Sequence, residues 1–417
     1  MRISRDIYLQ RLIDRQGNGM IKIITGMRRC GKSYLLFNLF ADHLRSQGVD
    51  DAHIIKVNLE DRRHKRLRDP DALLEHIDGR MTGDGRYYIL IDEVQLVSEF
   101  EDVLNSYLGM DNADVYVTGS NARFLSKDVV TAFRGRGDEV RVRPLSFAEF
   151  MVAYDGSVQR GLDEYMTYGG LPHVLTLRTE EQKSNYLKKL VAETYLKDIK
   201  ERHRIRHDDE LDELLNIISS SVGGLTNPAK LVRIFKSVKN VDISAETIGA
   251  YLEHLCDAFL VERAMRYDVK GRRYIDTPYK FYFSDLGLRN ARLNFRQDEK
   301  THLMENVIYN ELLFRGFNVD VGVVPVVNTN AEGRQYRSQL EIDFVCNQGS
   351  RRYYIQSAFS MESQEKSQQE RASLLRVGDS FKKIIITSGE GIVHRDSHGI
   401  VTISLADFLL TYNALEL

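Results

Sequence analysis

Short apolar runs alternate with longer amphipathic stretches in the first third of the chain. Ile21 to Thr25, His53 to Leu59, Tyr87 to Ile91 and Val115 to Thr118 are rich in Ile, Val and Tyr, and their length and composition predict buried strands. Between them, Lys32 to Gln47 (closed by Gly48), Pro70 to Arg80 and Glu99 to Leu108 carry apolar residues at helical spacing, and an amphipathic stretch, Arg5 to Arg15, precedes the first strand. Strands alternating with helices predict a parallel sheet covered on both faces. After Pro144 the pattern turns helical, with Ser146 to Tyr154, Asn185 to Arg204, Leu211 to Ser221, Ala229 to Val238 and Ala245 to Leu260 separated by Gly-Gly and Asn-Pro breaks. From Met304 the alternation returns: a helix at Glu305 to Arg315, strands at Phe317 to Val324, Leu340 to Cys346, Arg352 to Ala358 and Lys382 to Thr387, and a polar helix at Glu362 to Arg376. The fold class expected is therefore α/β at both ends with a helical middle.

Length adds that 417 residues exceed one small domain. Charge subtracts a class of partners: 58 Lys+Arg against 60 Asp+Glu leave no bulk attraction to nucleic acid or anionic membrane, so only a local basic patch can serve. The three cysteines, Cys30, Cys256 and Cys346, have neither metal-ligand spacing nor a pairable framework, which suits a reducing compartment. No apolar run approaches the ~20 residues of a membrane helix, and a cytoplasmic location is expected.

The strongest chemical signal is Gly26-Met27-Arg28-Arg29-Cys30-Gly31-Lys32-Ser33, followed by Tyr34, a GxxxxGK[ST] pattern that leaves a strand and opens a helix. Glycines at the first and sixth positions let successive backbone N–H groups turn inward to cradle phosphates, and the helix N-terminus adds partial positive charge. Lys32 is expected to reach the β- and γ-phosphates of ATP and Ser33 to ligate Mg²⁺. Some sixty residues on, the run Tyr87 to Ile91 ends in Asp92-Glu93, two carboxylates delivered at the sheet edge where ligands of open α/β folds bind. Asp92 is expected to hold the metal and Glu93 to deprotonate the attacking water.

GMRRCGKS, YYILIDEVQ, VYVTGSNA and RVRPLSFAEF, in this order, resemble the AAA-type P-loop ATPases of a bacterial and archaeal family with a DUF4143 C-terminal region. The resemblance implies an ATPase domain over residues 1–155 and a helical lid over 156–210, entered through Tyr168-Gly-Gly-Leu-Pro172. It also implies that Asn121, beside Ser120, is a polar sensor, that Arg5 to Leu9 contact adenine, and that Arg134 or, preferably, Arg136 is an arginine finger. Such a finger acts in trans, so it implies a homo-oligomer or a docked partner.

Residues 211–290 read as three helices and a two-stranded wing, Arg263 to Tyr267 and Lys280 to Phe283, a winged helix-turn-helix pattern that makes DNA a candidate partner. Its would-be recognition helix, Ala245 to His254, carries two acids and no Lys or Arg, which argues against groove readout. Denser basic runs occur at Arg62 to Arg68, Lys200 to His207 and Lys270 to Arg273. Residues 291–417 resemble a restriction-endonuclease-like core with Glu305, Glu341 and Asp343 as acids, but Gln356 and Ala358 replace its second carboxylate and its lysine. The whole reads as a Mg²⁺-dependent ATP-binding protein and ATPase coupled to a macromolecular partner. The alternatives are a nucleotide-gated switch with little hydrolysis and, third, an ATP-dependent nuclease.

Overall fold

The computed structural model describes residues 2–119, 135–205, 208–296, 299–329, 333–361, 363–389, 391 and 393–417. They divide into two compact units, 1–144 with 257–259, and 145–256 with 260–417.

In the first unit, β1 (Ile21–Thr25), β2 (Ile54–Asn58), β3 (Tyr87–Asp92), β4 (Ala113–Thr118) and β5 (Gly137–Arg141) form a sheet of order β2-β3-β4-β1-β5, with every pair parallel. All five residues of β1 are buried, as a central strand with helices on both faces requires. One face packs Ile21, Ile23, Ile55, Ile89, Ile91 and Val117 against Leu73 and Ile77 of the helix Pro70–Asp78 and Val103 and Leu104 of Phe100–Tyr107. The helix over 32–46 contains a π-helical turn, Leu35–Phe40, and Lys56 of β2 donates to the Phe37 carbonyl at 2.6 Å. A half-buried lysine thus satisfies a helix carbonyl through its side chain. Deeper still, Lys22 of β1 pairs with Asp114 of β4, which also accepts from the Tyr116 hydroxyl at 3.1 Å.

The first compact unit runs to Pro144. Ser146 caps the helix Phe147–Met151 in a box with Glu149, and Phe147 and Phe150 pack edge-on against Tyr165 of the helix Val158–Tyr168, whose hydroxyl donates to the Leu145 carbonyl at 2.8 Å. Aromatic packing therefore ties this segment to the helices that follow it.

The regions read from the sequence as lid, wing and nuclease-like domain fall within the second unit. Its sheet joins β6 (Val261–Asp268), β7 (Arg273–Phe283), β8 (Asn318–Thr329), β9 (Gln335–Gln348), β10 (Arg351–Ala358), β11 (Lys382–Thr387), β12 (His394–Arg395) and β13 (Val401–Ser404) in the order β12-β13-β11-β10-β9-β8-β6-β7. The pair read as a wing, β6 and β7, is antiparallel as expected, but β6 also runs parallel to β8 with Arg266 opposite Val321. Backbone hydrogen bonds leave no free-standing wing: the two strands are one edge of the large sheet. The helix Gln364–Leu375 packs Leu374 against Val345, Tyr354 and Ala358 of that sheet.

Tyr168-Gly-Gly-Leu-Pro172 is a seat for a carboxylate. The helix Leu286–Arg292 is capped by Asp285, which accepts from Leu288 N at 3.2 Å and from Gly170 N at 2.8 Å. Gly169, at φ +77°, leaves the space: a Cβ there would sit 2.2 Å from Asp285 Oδ1. Asn290 adds bonds at 2.9 Å to the carbonyls of Met166 and Thr167.

Candidate functional site

The glycine loop leaves β1 at its C-terminal edge. Gly26 has φ +135°, and a Cβ there would lie 2.1 Å from the Val142 carbonyl oxygen, so only glycine lets the loop pass β5's extension. Arg29 and Gly31 also take positive φ, at 67° and 101°, which curls the backbone before Lys32 opens the helix. The loop is braced from behind: Cys30 Sγ lies 3.5 Å from the Val142 carbonyl, and Arg5 donates to the carbonyls of Cys30 at 3.3 Å and Arg143 at 2.7 Å. Arg5, expected at the adenine, is thus a brace of the loop, and Tyr8 beside it accepts from Arg143 N at 3.0 Å.

Lys32 is buried and its ammonium donates to the carbonyls of Gly26 at 2.9 Å and Met27 at 3.0 Å. Ser33 Oγ donates to Asp92 Oδ1 at 2.9 Å, which brings the two expected metal-binding residues together across the gap between loop and β3. Arg28 is half-buried, while Tyr34 faces outward at 40% exposure.

Asp92 and Glu93 are both buried. Burial pushes the Asp92 carboxyl above the usual range, against the Thr118 and Ser33 hydroxyls that stabilise its charge. Glu93 sits in the left-handed region, φ 55° and ψ 50°, a conformation costing on the order of 1–2 kcal/mol for a non-glycine residue. Its amide donates to Thr118 Oγ1 at 3.0 Å, and its carboxylate accepts from Gln95 Nε2. Thr118, at the end of β4, therefore holds both acids, a role that its place before Gly119 did not announce. Glu60, just past β2, is a third acid of this edge: desolvation and the neighbouring Glu93 and Asp92 raise its pKa, while Arg28 and Arg29 oppose the rise.

Asn121 and Arg134 lie outside the described residues. Arg136 is exposed and its carbonyl accepts from Ile21 N at 2.9 Å, at the beginning of β5 and β1. Because β5 runs parallel to β1 with Gly137 opposite Ile21 and Arg141 opposite Thr25, Arg136 stands a strand's length from the loop that leaves β1. It cannot serve the phosphate loop of its own chain.

In the second unit Glu305, Glu341 and Asp343 gather, but around a lysine that sequence reading missed. Lys280 of β7 donates to Glu305 Oε1 and lies within 2.8 Å of Glu341 Oε1, and the Tyr282 hydroxyl donates to Glu305 at 2.5 Å. Burial alone would lower the Lys280 pKa; Glu305, Asp343 and Glu341 together hold it above the ordinary lysine value. Burial and Glu305 push the Asp343 carboxyl well up, opposed by Lys280 and by Ser357 N, which donates to it at 2.8 Å. Gln356 and Ala358 turn elsewhere: Gln356 donates to Glu370 at 3.2 Å, and Ala358 packs with Tyr354 and Leu374. The second carboxylate and lysine positions expected on β10 are thus not part of the acidic cluster. Among the described residues no group of three or more His, Cys, Asp or Glu is placed to hold a metal ion.

No helix among the described residues is long and apolar enough to cross a membrane.

Comparison with known proteins bears on both units. Residues 18–151 match an AAA domain and residues 159–299 a domain of unknown function, DUF8612, where the resemblance had implied DUF4143. The chain is 33% identical over 414 residues to an uncharacterized protein of Haemophilus influenzae, with 98% of each covered. It is 27% identical over 431 residues to the uncharacterized protein MJ1544 of Methanocaldococcus jannaschii, with 98% of this chain and 91% of that one covered. Among solved structures it is similar to the Aeropyrum pernix Orc1 protein in complex with DNA, at 14% identity, 70% and 92% coverage and a TM-score of 0.30. It is likewise similar to AMPPCP-bound DnaA of Aquifex aeolicus, at 14% identity, 59% and 85% coverage and a TM-score of 0.26.

Proposed function

The chain belongs to the AAA-domain family represented by its full-length Haemophilus influenzae relative, and on that premise we propose that it binds ATP with Mg²⁺ at the Gly26–Ser33 loop and hydrolyses it to ADP and phosphate. The observation that carries the reading is the meeting of Ser33 and Asp92 at 2.9 Å, beside a buried lysine whose hydrogen bonds among the described residues go to main-chain carbonyls. One hydroxyl and one carboxylate suit Mg²⁺, a hard cation that keeps most of its shell as water and phosphate oxygen. The bound ion would neutralise charge on the transferring phosphoryl group.

The chain's own groups supply the rest. Loop amides hold the phosphates, and Lys32 exchanges its carbonyl partners for phosphate oxygens. Glu93, pinned in a strained backbone by Thr118, accepts the proton of the attacking water. Asn121 orients that water, and Arg136 acts on the site of a neighbouring copy, which makes the active form an oligomer.

One contact favours the second reading, a nucleotide-gated switch with slow turnover: Gln95 donates to the Glu93 carboxylate and holds the base to its own strand end. The two readings separate by steady-state phosphate release with and without DNA. Negligible release at saturating ATP, with DNA present or absent, assigns the switch. For the ATPase, Glu93→Gln keeps ATP affinity within a few-fold and lowers turnover by about 10²- to 10⁴-fold. Undiminished turnover in that variant removes Glu93 as the base.

A further inference from the structure

A cleft of about 660 Å³ opens in the second unit beside the turn between β6 and β7. Four cations line it, Lys270 and Arg272 from that turn and Arg351 and Arg352 from the start of β10, together with the rings of Tyr267 and Phe381. The Arg352 guanidinium stands 5.7 Å from the centre of the Tyr267 ring and 5.3 Å from that of Phe381, and its Nε donates to Asn347 at 2.7 Å. A planar cation fixed between two rings is a built feature of the wall. Phe381 is itself 40% exposed.

One acid, Asp379, lines the cleft, and Asp268 of β6 accepts from the amides of Lys270 at 3.1 Å and Gly271 at 2.8 Å in the turn. Asp379 accepts from the Tyr354 hydroxyl at 2.6 Å, Asp320 from the Tyr274 hydroxyl at 3.2 Å, and Glu416 lies 3.3 Å from Arg351. Lys270 reaches the Pro325 carbonyl at 3.1 Å, a neutral partner, and Arg272, at the tip of the turn with φ 51°, has no hydrogen bond or ion pair among the described residues. Among the residues that line the cleft, four cations thus face one acid, Asp379.

We propose that this cleft binds a nucleotide unit, its phosphate on Lys270 and Arg272 and its base against Phe381, whether the nucleotide is free or part of a single strand. Cations set beside an accessible ring read a phosphate and an unstacked base together. A duplex, with its bases stacked inside, offers the cleft only phosphates. The proposal stands on the second unit alone and does not require nucleotide binding at the Gly26–Ser33 loop.

The test is fluorescence anisotropy of a labelled twelve-residue oligo-dT with the full chain at about 50 and about 200 mM salt. Binding is expected, and Lys270→Glu with Arg272→Asn, the asparagine chosen because it tolerates positive φ, weakens it about tenfold and makes the salt dependence shallower. Phe381→Ala weakens oligo-dT binding about fivefold and leaves weak poly-glutamate binding unchanged. Lys32→Ala leaves oligo-dT binding intact, so failure of the loop reading and failure of this one are distinguishable. Displacement of the oligonucleotide by millimolar dTMP assigns a free nucleotide; displacement by unlabelled strand alone assigns a strand. Absence of binding at the lower salt, indifference to the double variant, or equal displacement by poly-glutamate of matched charge overturns the proposal.

Discussion

Lys32 and Lys280 are both buried beside acids, yet their bonding differs. Lys32 donates to two neutral carbonyls of its own loop, while the acids opposite it bond to the hydroxyls of Ser33 and Thr118 and the amide of Gln95. These carbonyl, hydroxyl and amide partners are neutral groups that an incoming anion and cation can replace. Lys280, by contrast, is bonded to Glu305 and Glu341 with Asp343 close by, so its charge is already paired inside the cluster. Similar residue types thus give an open site in one unit and a closed structural one in the other. For Glu305 and Glu341 to take up a metal ion, Lys280 would have to leave their carboxylates.

Exchanging each lysine for methionine breaks the comparison most sharply. Lys280→Met strands buried carboxylates and is expected to destabilise the second unit by about 3–5 kcal/mol in denaturant unfolding. Lys32→Met leaves stability within about 1 kcal/mol and removes nucleotide binding, because its lost partners are carbonyls that the loop can rearrange around. Equal stability losses in the two variants would erase the distinction.

A smaller effect is expected at the carboxylate seat. Gly169→Ala places a methyl against Asp285 at positive φ and should cost about 2–4 kcal/mol in the second unit, with ATP affinity at the loop unchanged. Smaller again is the pH dependence of that seat. Burial raises the Asp285 pKa from 3.8 to about 6, against the backbone amides that stabilise its charge. A carboxyl whose folded pKa lies above its unfolded one adds stability that is complete below the unfolded value and is lost as pH rises through the folded one. The contribution, on the order of 2–3 kcal/mol, should therefore fade between pH ~4 and ~6, and Asp285→Asn should flatten that part of the profile. Thermal melts of the two proteins across that window, if superimposable, would remove the assignment.

What the sequence made legible follows a physical line. The loop was readable because its chemistry is local: eight consecutive residues set the φ angles, the amides, the lysine and the hydroxyl. Asp92 and Glu93 were readable because a short buried strand has one C-terminal edge. Thr118 and Glu60 were missed because neighbouring strands bring them in, and strand order is not written in any one segment. The β6–β7 pair was recognisable as antiparallel strands, but its second neighbour, β8, lies more than thirty residues further on, and with it went the idea of a separate wing. On β10 the alternation of faces was clear from Tyr354, Gln356 and Ala358, but not which face meets Glu305; the lysine that does meet it comes from β7. Asp285 escaped for the same reason, being a single acid whose meaning depends on two glycines far upstream.

The central claim is that the Gly26–Ser33 loop and the Asp92-Glu93 edge together form one site for ATP with its metal. Isothermal titration of ATP into the folded Glu93→Gln chain at millimolar Mg²⁺ tests it most directly. One ATP per chain is expected, weakened by chelating the metal and abolished by adding Lys32→Ala. Absence of uptake by well-folded protein, or uptake that survives Lys32→Ala unchanged, contradicts the account.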